Sequence, residues 1–177
     1  MSLKLINSVD YSPVIMANGT IITSVKDAIA IGSEIVESAE NEVIWLAPRP
    51  TLVYASQFGI TEKFKTLIQK GGHVRGIVDF SYLYIDTVRE LLDIGQSVRH
   101  YEKYQGVFMV VGDKRKSISS ISVDGESLSI DGPVVALWSE DPTYAEFLTS
   151  TFELLWEQAV PAAQRIEELL KEVPPHV

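Results

Sequence analysis

Four side chains stand where the order of elements would gather them: Arg49, Asp79, Arg99 and His100. Arg49 follows the apolar run EVIWLA (42–47). Asp79 closes HVRGIVDF (73–80), and Arg99 and His100 lie in SVRHY (97–101). A guanidinium presents a planar fork of donors that suits carboxylates, phosphates or sugar hydroxyls. An aspartate opposite it can accept from a polyol hydroxyl, or pair with the arginine when no ligand is bound. If the three runs are parallel strands of one open sheet, these residues line its carboxyl edge, where ligands of such sheets bind. Ser81 and Glu102 share that edge, and Tyr82, Tyr84 and Tyr101 beside it offer stacking surface. The expected ligand is small and polar or anionic, with Arg49 held between Pro48 and Pro50 as its first contact.

Other chemistries find less support. The chain has no cysteine, which excludes disulfides and thiolate zinc sites. Its histidines are His73, His100 and His176. Asp79 and His100 alone are two ligands, short of a metal site, so neither metal nor cofactor is expected. The net charge of −9, from 15 basic and 24 acidic residues, argues against direct nucleic-acid binding, which draws affinity from Lys and Arg neutralising phosphates. The one basic cluster, Lys114-Arg115-Lys116, reads as a solvated turn. No signal-peptide pattern opens the chain, and no apolar run approaches the roughly 20 residues that span a bilayer. A cytoplasmic location is expected.

The elements that must position these residues follow from the apolar spacing. A chain of 177 residues that is 46% hydrophobic suggests one domain. Met1-Ser2-Leu3 has the look of an expression-vector scar, in which case the chain could be a fragment of a longer protein. Residues 1–23 read as a lead-in, with Asn18-Gly19 as a hairpin turn pair between short apolar runs. Ser24 and Asp27 then form a capping-box-like helix start. Val25, Ala28, Ile29, Ile35, Val36 and Ala39 give that helix one buried face. EVIWLA suits a strand buried on both faces, and Pro48-Arg49-Pro50 breaks the chain. A helix from about Glu62 to Lys70 ends at Gly71-Gly72, before HVRGIVDF. Leu83, Val88, Leu91 and Leu92 predict a helix over 82–94, stopped by Gly95 before SVRHY.

This alternation implies parallel strands joined by right-handed crossovers. GVFMVVGD (106–113) and KSISSISVDG (116–125) are joined tightly enough to be antiparallel, and PVVALW (133–138) is a last strand. Asp141 caps a final helix with Pro142 at its first position. Tyr144, Leu148, Phe152, Leu155 and Ala159 form its stripe. Pro161 should kink or restart it, and Ala162, Ile166, Leu169 and Leu170 continue to a tail at 173–177. Trp45, Trp138 and Trp156 are expected in the core or an interface. The fold class is α/β, a mixed sheet of parallel βαβ units plus antiparallel strands, with helices on both faces and one domain over 24–172.

The order of five phrases carries a resemblance: EIVESAENEVIWLAP (34–48), GGHVRGIVDF (71–80), SVRHYE (97–102), GVFMVVGDKRKSI (106–118) and FELLWEQAVPAAQRIEEL (152–169). Over roughly residues 24–170 the chain resembles one repeat of the phospholipase D fold. It is most similar to the non-catalytic version in archaeal transcription regulators of the TrmB type. In the catalytic members a strand carries His-x-Lys-x-x-x-x-Asp. Here Gln105 stands in the histidine position, Val107 in the lysine position and Gly112 in the aspartate position. His73 is followed by Arg75 rather than a lysine, and His100 is one residue too far from Lys103. The resemblance therefore implies a non-enzymatic, ligand-sensing and dimerisation domain, part of or related to a transcription regulator and serving transcription or another signalling output, although no winged helix fits before Ser24. It also implies a homodimer, because such units pair their repeats. The alternatives are a diverged homodimeric phosphodiesterase or nuclease, and an assembly module without a ligand.

Overall fold

Ser24 shows how tightly the elements are joined, since it ends a strand and caps the next helix. Its side chain accepts from the Asp27 N–H at 3.2 Å. The computed structural model of the protein describes residues 19–103, 107–121, 130 and 132–172. Strand β1 (Gly19–Ser24) leads to helix α1 (Val25–Ser38), β2 (Glu42–Ala47), α2 (Pro50–Gln57), α3 (Ile60–Gln69) and β3 (His73–Val78). A 3-10 turn (Tyr82–Tyr84) opens α4 (Ile85–Asp93), followed by β4 (Ser97–His100), β5 (Val107–Gly112), β6 (Lys116–Ile121) and β7 (Pro133–Ser139). Helix α5 (Pro142–Gln158), β8 (Val160–Pro161) and α6 (Ala162–Glu172) complete the described chain.

The strands form one sheet in the order β1-β7-β6-β5-β2-β3-β4-β8. β2 and β3 pair in parallel, as do β3 and β4. The pairings of β1 with β7, β2 with β5, β5 with β6, β6 with β7 and β4 with β8 are antiparallel. The mixed α/β sheet expected from the alternation is present. Side chains alternate across it. Val43, Trp45 and Ala47 of β2 pack with α1, α3, α4 and α6 on one face, while Ile44 and Leu46 pack under Leu148 and Phe152 of α5 on the other. Helices therefore cover both faces, as expected. Trp45 is buried, and Trp138 and Trp156 are half-buried.

Several expectations change. Gly19–Ser24 is an edge strand on β7, so the domain takes in part of the stretch read as lead-in. The other arm of the expected hairpin, like Gln105 and His176, lies outside the described residues. Pro50 does not break the chain; it is the first residue of α2, where its missing N–H is no loss. The helix read from Glu62 begins at Ile60, after Gly59. Leu83, one of the apolar residues whose spacing predicts the helix over 82–94, is 86% exposed. It sits in the 3-10 turn, whose phase does not match that of α4. Pro161 restarts the helix, and with Val160 it adds a short strand to the sheet edge. Gly71 and Gly95 end α3 and α4 at φ of +91° and +97°, a region other residues rarely adopt.

Candidate functional site at the strand ends

Strand direction decides what shares an edge. β2, β3 and β4 are parallel and end at Ala47, Val78 and His100. β5 runs against β2, with Met109 opposite Leu46. Its first residue, Val107, therefore lies at the edge where the parallel strands finish. The expected ligand edge and the expected catalytic strand start are one place.

Arg49 caps the start of α2 through its backbone, and its Nη2 meets Asp79 Oδ2 at 2.5 Å. The two side chains are 40% and 20% exposed, so the pair is open to solvent on the arginine side. Exposed ion pairs of this kind add little stability.

His100 pairs with Val78, the residue before Asp79, and is only 7% exposed. Its Nδ1 accepts the Phe80 N–H at 3.3 Å, and its ring meets Phe80 edge-on at a centroid distance of 5.0 Å. Burial pushes the imidazole below its ordinary pKa. The Asp79 and Glu102 carboxylates oppose that push, and Arg165 adds to it. The balance favours the neutral imidazole more than in a free histidine.

Arg99 does not join them. Neighbours in a strand point to opposite faces, so Arg99 faces α5 while His100 faces the other helix layer. Its Nη1 donates to Trp156 O at 2.6 Å, and its guanidinium lies 4.5 Å from the Trp156 ring centroid. Arg75 stands on the same face, bonded to Glu153 and Glu42. These arginines fasten the end of α5 to the sheet. The structure thus brings together Arg49, Asp79 and His100 and takes Arg99 out of the candidate site. Of the tyrosines, Tyr82 is exposed and Tyr84 is packed against the core. Tyr101 is half-buried, with its hydroxyl 3.3 Å from Gln158 Oε1.

Asp113 is the residue the sequence reading missed. It follows β5, and its carboxylate accepts the backbone N–H groups of Glu40, Asn41 and Glu42 at 2.8–2.9 Å. Moving the His-x-Lys-x-x-x-x-Asp pattern by one residue puts Asp113 in the aspartate position. Gly106 and Phe108 then fall in the histidine and lysine positions. Neither register supplies a histidine or a lysine. Among the described residues no three His, Asp or Glu side chains could hold a metal ion, and no helix is long and apolar enough to cross a membrane.

With this geometry in place, the solved structures divide clearly. The TrmBL2 chromatin protein of archaea, whose structure shows a novel mode of DNA binding, superposes with a TM-score of 0.63 at 13% identity, over 84% of this chain and 55% of that one. Nuc from Salmonella typhimurium, a phospholipase D family member, gives 0.61 at 12% identity, over 81% of this chain and 97% of that one. The fold is phospholipase D-like. NucT from Helicobacter pylori gives 0.61 at 14% identity, over 81% and 98%. The chain thus spans about half of the chromatin protein and nearly all of each Nuc-type chain. No family model and no curated relative matches it.

The buried imidazole carries a prediction. An unfolded histidine titrates near 6.5, and His100 titrates lower in the fold. Between these values the unfolded chain binds more protons, so stability rises with pH. The contribution of His100 is complete above about pH 6.5 and is lost as pH falls through its folded value. His100→Asn, which keeps an acceptor but cannot charge, should flatten the melting temperature between about pH 6.5 and pH 5. An unchanged slope would exonerate His100 as the titrating group.

Proposed function

We propose that this chain is a non-enzymatic ligand-sensing and dimerisation module of the phospholipase D-like fold, working within a transcription regulator. The observation that carries the reading is the edge at the strand ends. It presents an arginine paired with an aspartate, and it offers no histidine–lysine pair at the start of β5. A sensor needs such a preset charged contact, whereas a phosphodiesterase needs an accessible nucleophile. The only histidine at this edge among the described residues, His100, is buried and occupied by the Phe80 N–H. The ligand class that fits the Arg49–Asp79 pair is a small carboxylate, phosphate or polyol. The likeness to an archaeal chromatin protein favours a regulatory setting. The net charge of −9 favours leaving DNA contact to another part of the assembly.

A homodimer fits an exposed apolar strip. Ile21 and Val135 lie on the α5 face of the sheet, beyond the helix, and are 52% and 68% exposed. Phe147 and Leu154 project from α5 itself. Contiguous apolar patches mark contact surfaces, and these four side chains are what the described residues on this side of the molecule offer for one.

The second reading is a diverged phosphodiesterase, favoured by the two Nuc-type neighbours. Hydrolysis of a chromogenic phosphodiester, followed from pH 5 to 9 with and without divalent metal, separates the two. No turnover is expected. A robust rate that His100→Ala abolishes would overturn the sensor reading. Sedimentation should give twice the chain mass of 19.7 kDa. Any carboxylate, phosphate or polyol found to bind should lose about 1–3 kcal/mol of affinity in Arg49→Ala, with little change in melting temperature.

A further inference from the structure

We propose that the void beneath α2 is a binding site for a compact hydrocarbon-like ligand, one that carries no hydrogen-bonding group. A space of about 60 Å³ lies between the sheet and the helices of one face, walled by Gly32, Trp45, Leu52, Phe64, Phe108 and Val110 among others. Folded interiors leave few voids larger than a water molecule. Polar voids hold water through two to four partners, whereas apolar ones stay dry and accept apolar guests. This wall is apolar, and its buried polar side-chain groups are already committed. Thr51 Oγ1 donates to Pro48 O at 2.6 Å, and Trp45 Nε1 donates to Gln96 Oε1 at 3.0 Å. A guest with a hydroxyl or carboxylate would leave that group unpaired.

Gly32 makes the space larger than packing requires. It lies within α1, where glycine destabilises a helix relative to alanine. A Cβ there would stand 3.6 Å from Val110 Cγ2 and 3.7 Å from Phe108 Cζ, ordinary contact distances. No clash forbids the methyl. Tyr54, Ala55, Ile60 and Phe108 are the half-buried members of the wall, so access runs past the α2–α3 corner. α2 is the wall that can yield. Its first residue follows Arg49, whose side chain makes no capping bond, and only Thr51 and Leu52 of the helix are buried. A dry cavity of about 150 Å³ takes benzene, so the guest here is smaller unless α2 shifts. Because Arg49 precedes that helix, occupancy would be felt at the strand-end edge. The site itself does not depend on the sensor reading.

Xenon is the probe, titrated under pressure into the whole chain carrying 13C-labelled methyl groups. Saturable shifts are expected at Val36, Ala47, Leu52 and Val110, with none at Ile44 or Leu148 on the opposite face. Gly32→Ala should stay folded by circular dichroism and weaken xenon binding by about tenfold or more, the scale for one methyl in an apolar pocket. Ala55→Leu fills the space from the other wall and should do the same. Shifts that grow linearly with pressure, shifts on both faces, or wild-type affinity in both variants would overturn the site.

Discussion

Gly76→Ala is expected to destabilise the fold by about 3 kcal/mol, the upper range for forcing an extra methyl into a packed core. Gly76 lies in β3 directly opposite Trp45 of β2. A Cβ at Gly76 would stand 2.1 Å from both Cε2 and Cζ2 of the indole, and 2.7 Å from Cη2. Real Cβ atoms do not approach that closely, so the ring would have to leave. Trp45 is 5% exposed, its ring stacks on Phe64 at 6.4 Å between centroids, and its Nε1–H donates to the buried Gln96. Trp45 borders the void under α2, and moving there would break the Gln96 bond and orphan two buried polar groups. Alanine recovers about 0.5–1 kcal/mol of chain entropy relative to glycine, which is too little to offset this. Urea denaturation measures the difference. Trp45→Leu should cost stability alone but rescue much of the Gly76→Ala defect, giving a coupling well above the few tenths expected of independent sites. A Gly76→Ala protein within 0.5 kcal/mol of wild type would show that the indole does not lock this position.

The same pair illustrates what was legible in the sequence. Trp45 stood inside an apolar run and was read as core, and the order of helices and strands followed from runs of comparable clarity. Gly76 was silent, because its need for no side chain comes from a neighbour 31 positions away in register, which no local pattern reveals. α2 was missed for a different reason. Two prolines masked it, and with only Thr51 and Leu52 buried it has no stripe to read. The separation of Arg99 from His100 was also legible. The two are consecutive in a strand, and period-two alternation sends them to opposite faces. The Arg49–Asp79 pairing was legible, because both residues follow strands that topology places side by side.

Asp113 carries the second large effect, and it was hidden because its partners lie 71 to 73 residues earlier in the chain. Asp113→Ala should cost about 2–3 kcal/mol, since hydrogen bonds to a charged group run about 1.5–3 kcal/mol each but are not additive. Glu40 and Asn41 bridge α1 to the start of β2, and their N–H groups, with that of Glu42, have this carboxylate as acceptor. The Asp113 N–H in turn donates to Glu42 O at 2.9 Å. One residue therefore fastens the β5–β6 turn to the entry of the central strand. It does so from a left-handed backbone, with φ of +50° at Asp113 and +54° at Lys114, a conformation that costs energy and persists only when its surroundings hold it. Burial alone would raise the carboxyl pKa, but the three backbone donors and Asn41 outweigh it and hold it below the usual range. A depressed folded value means the stabilisation is present above the unfolded pKa and is lost as pH falls through the folded one. Asp113→Ala should therefore lower stability most near neutral pH and converge on wild type in acid. Asp113→Asn should fall between them, because one oxygen can still accept from Asn41 and Glu42 while its NH2 faces the Glu40 N–H. Denaturant melts at pH 7 and pH 3 would measure both variants. A deficit of the same size at the two pH values would show that the loss is one of turn geometry and that the charge on Asp113 contributes nothing.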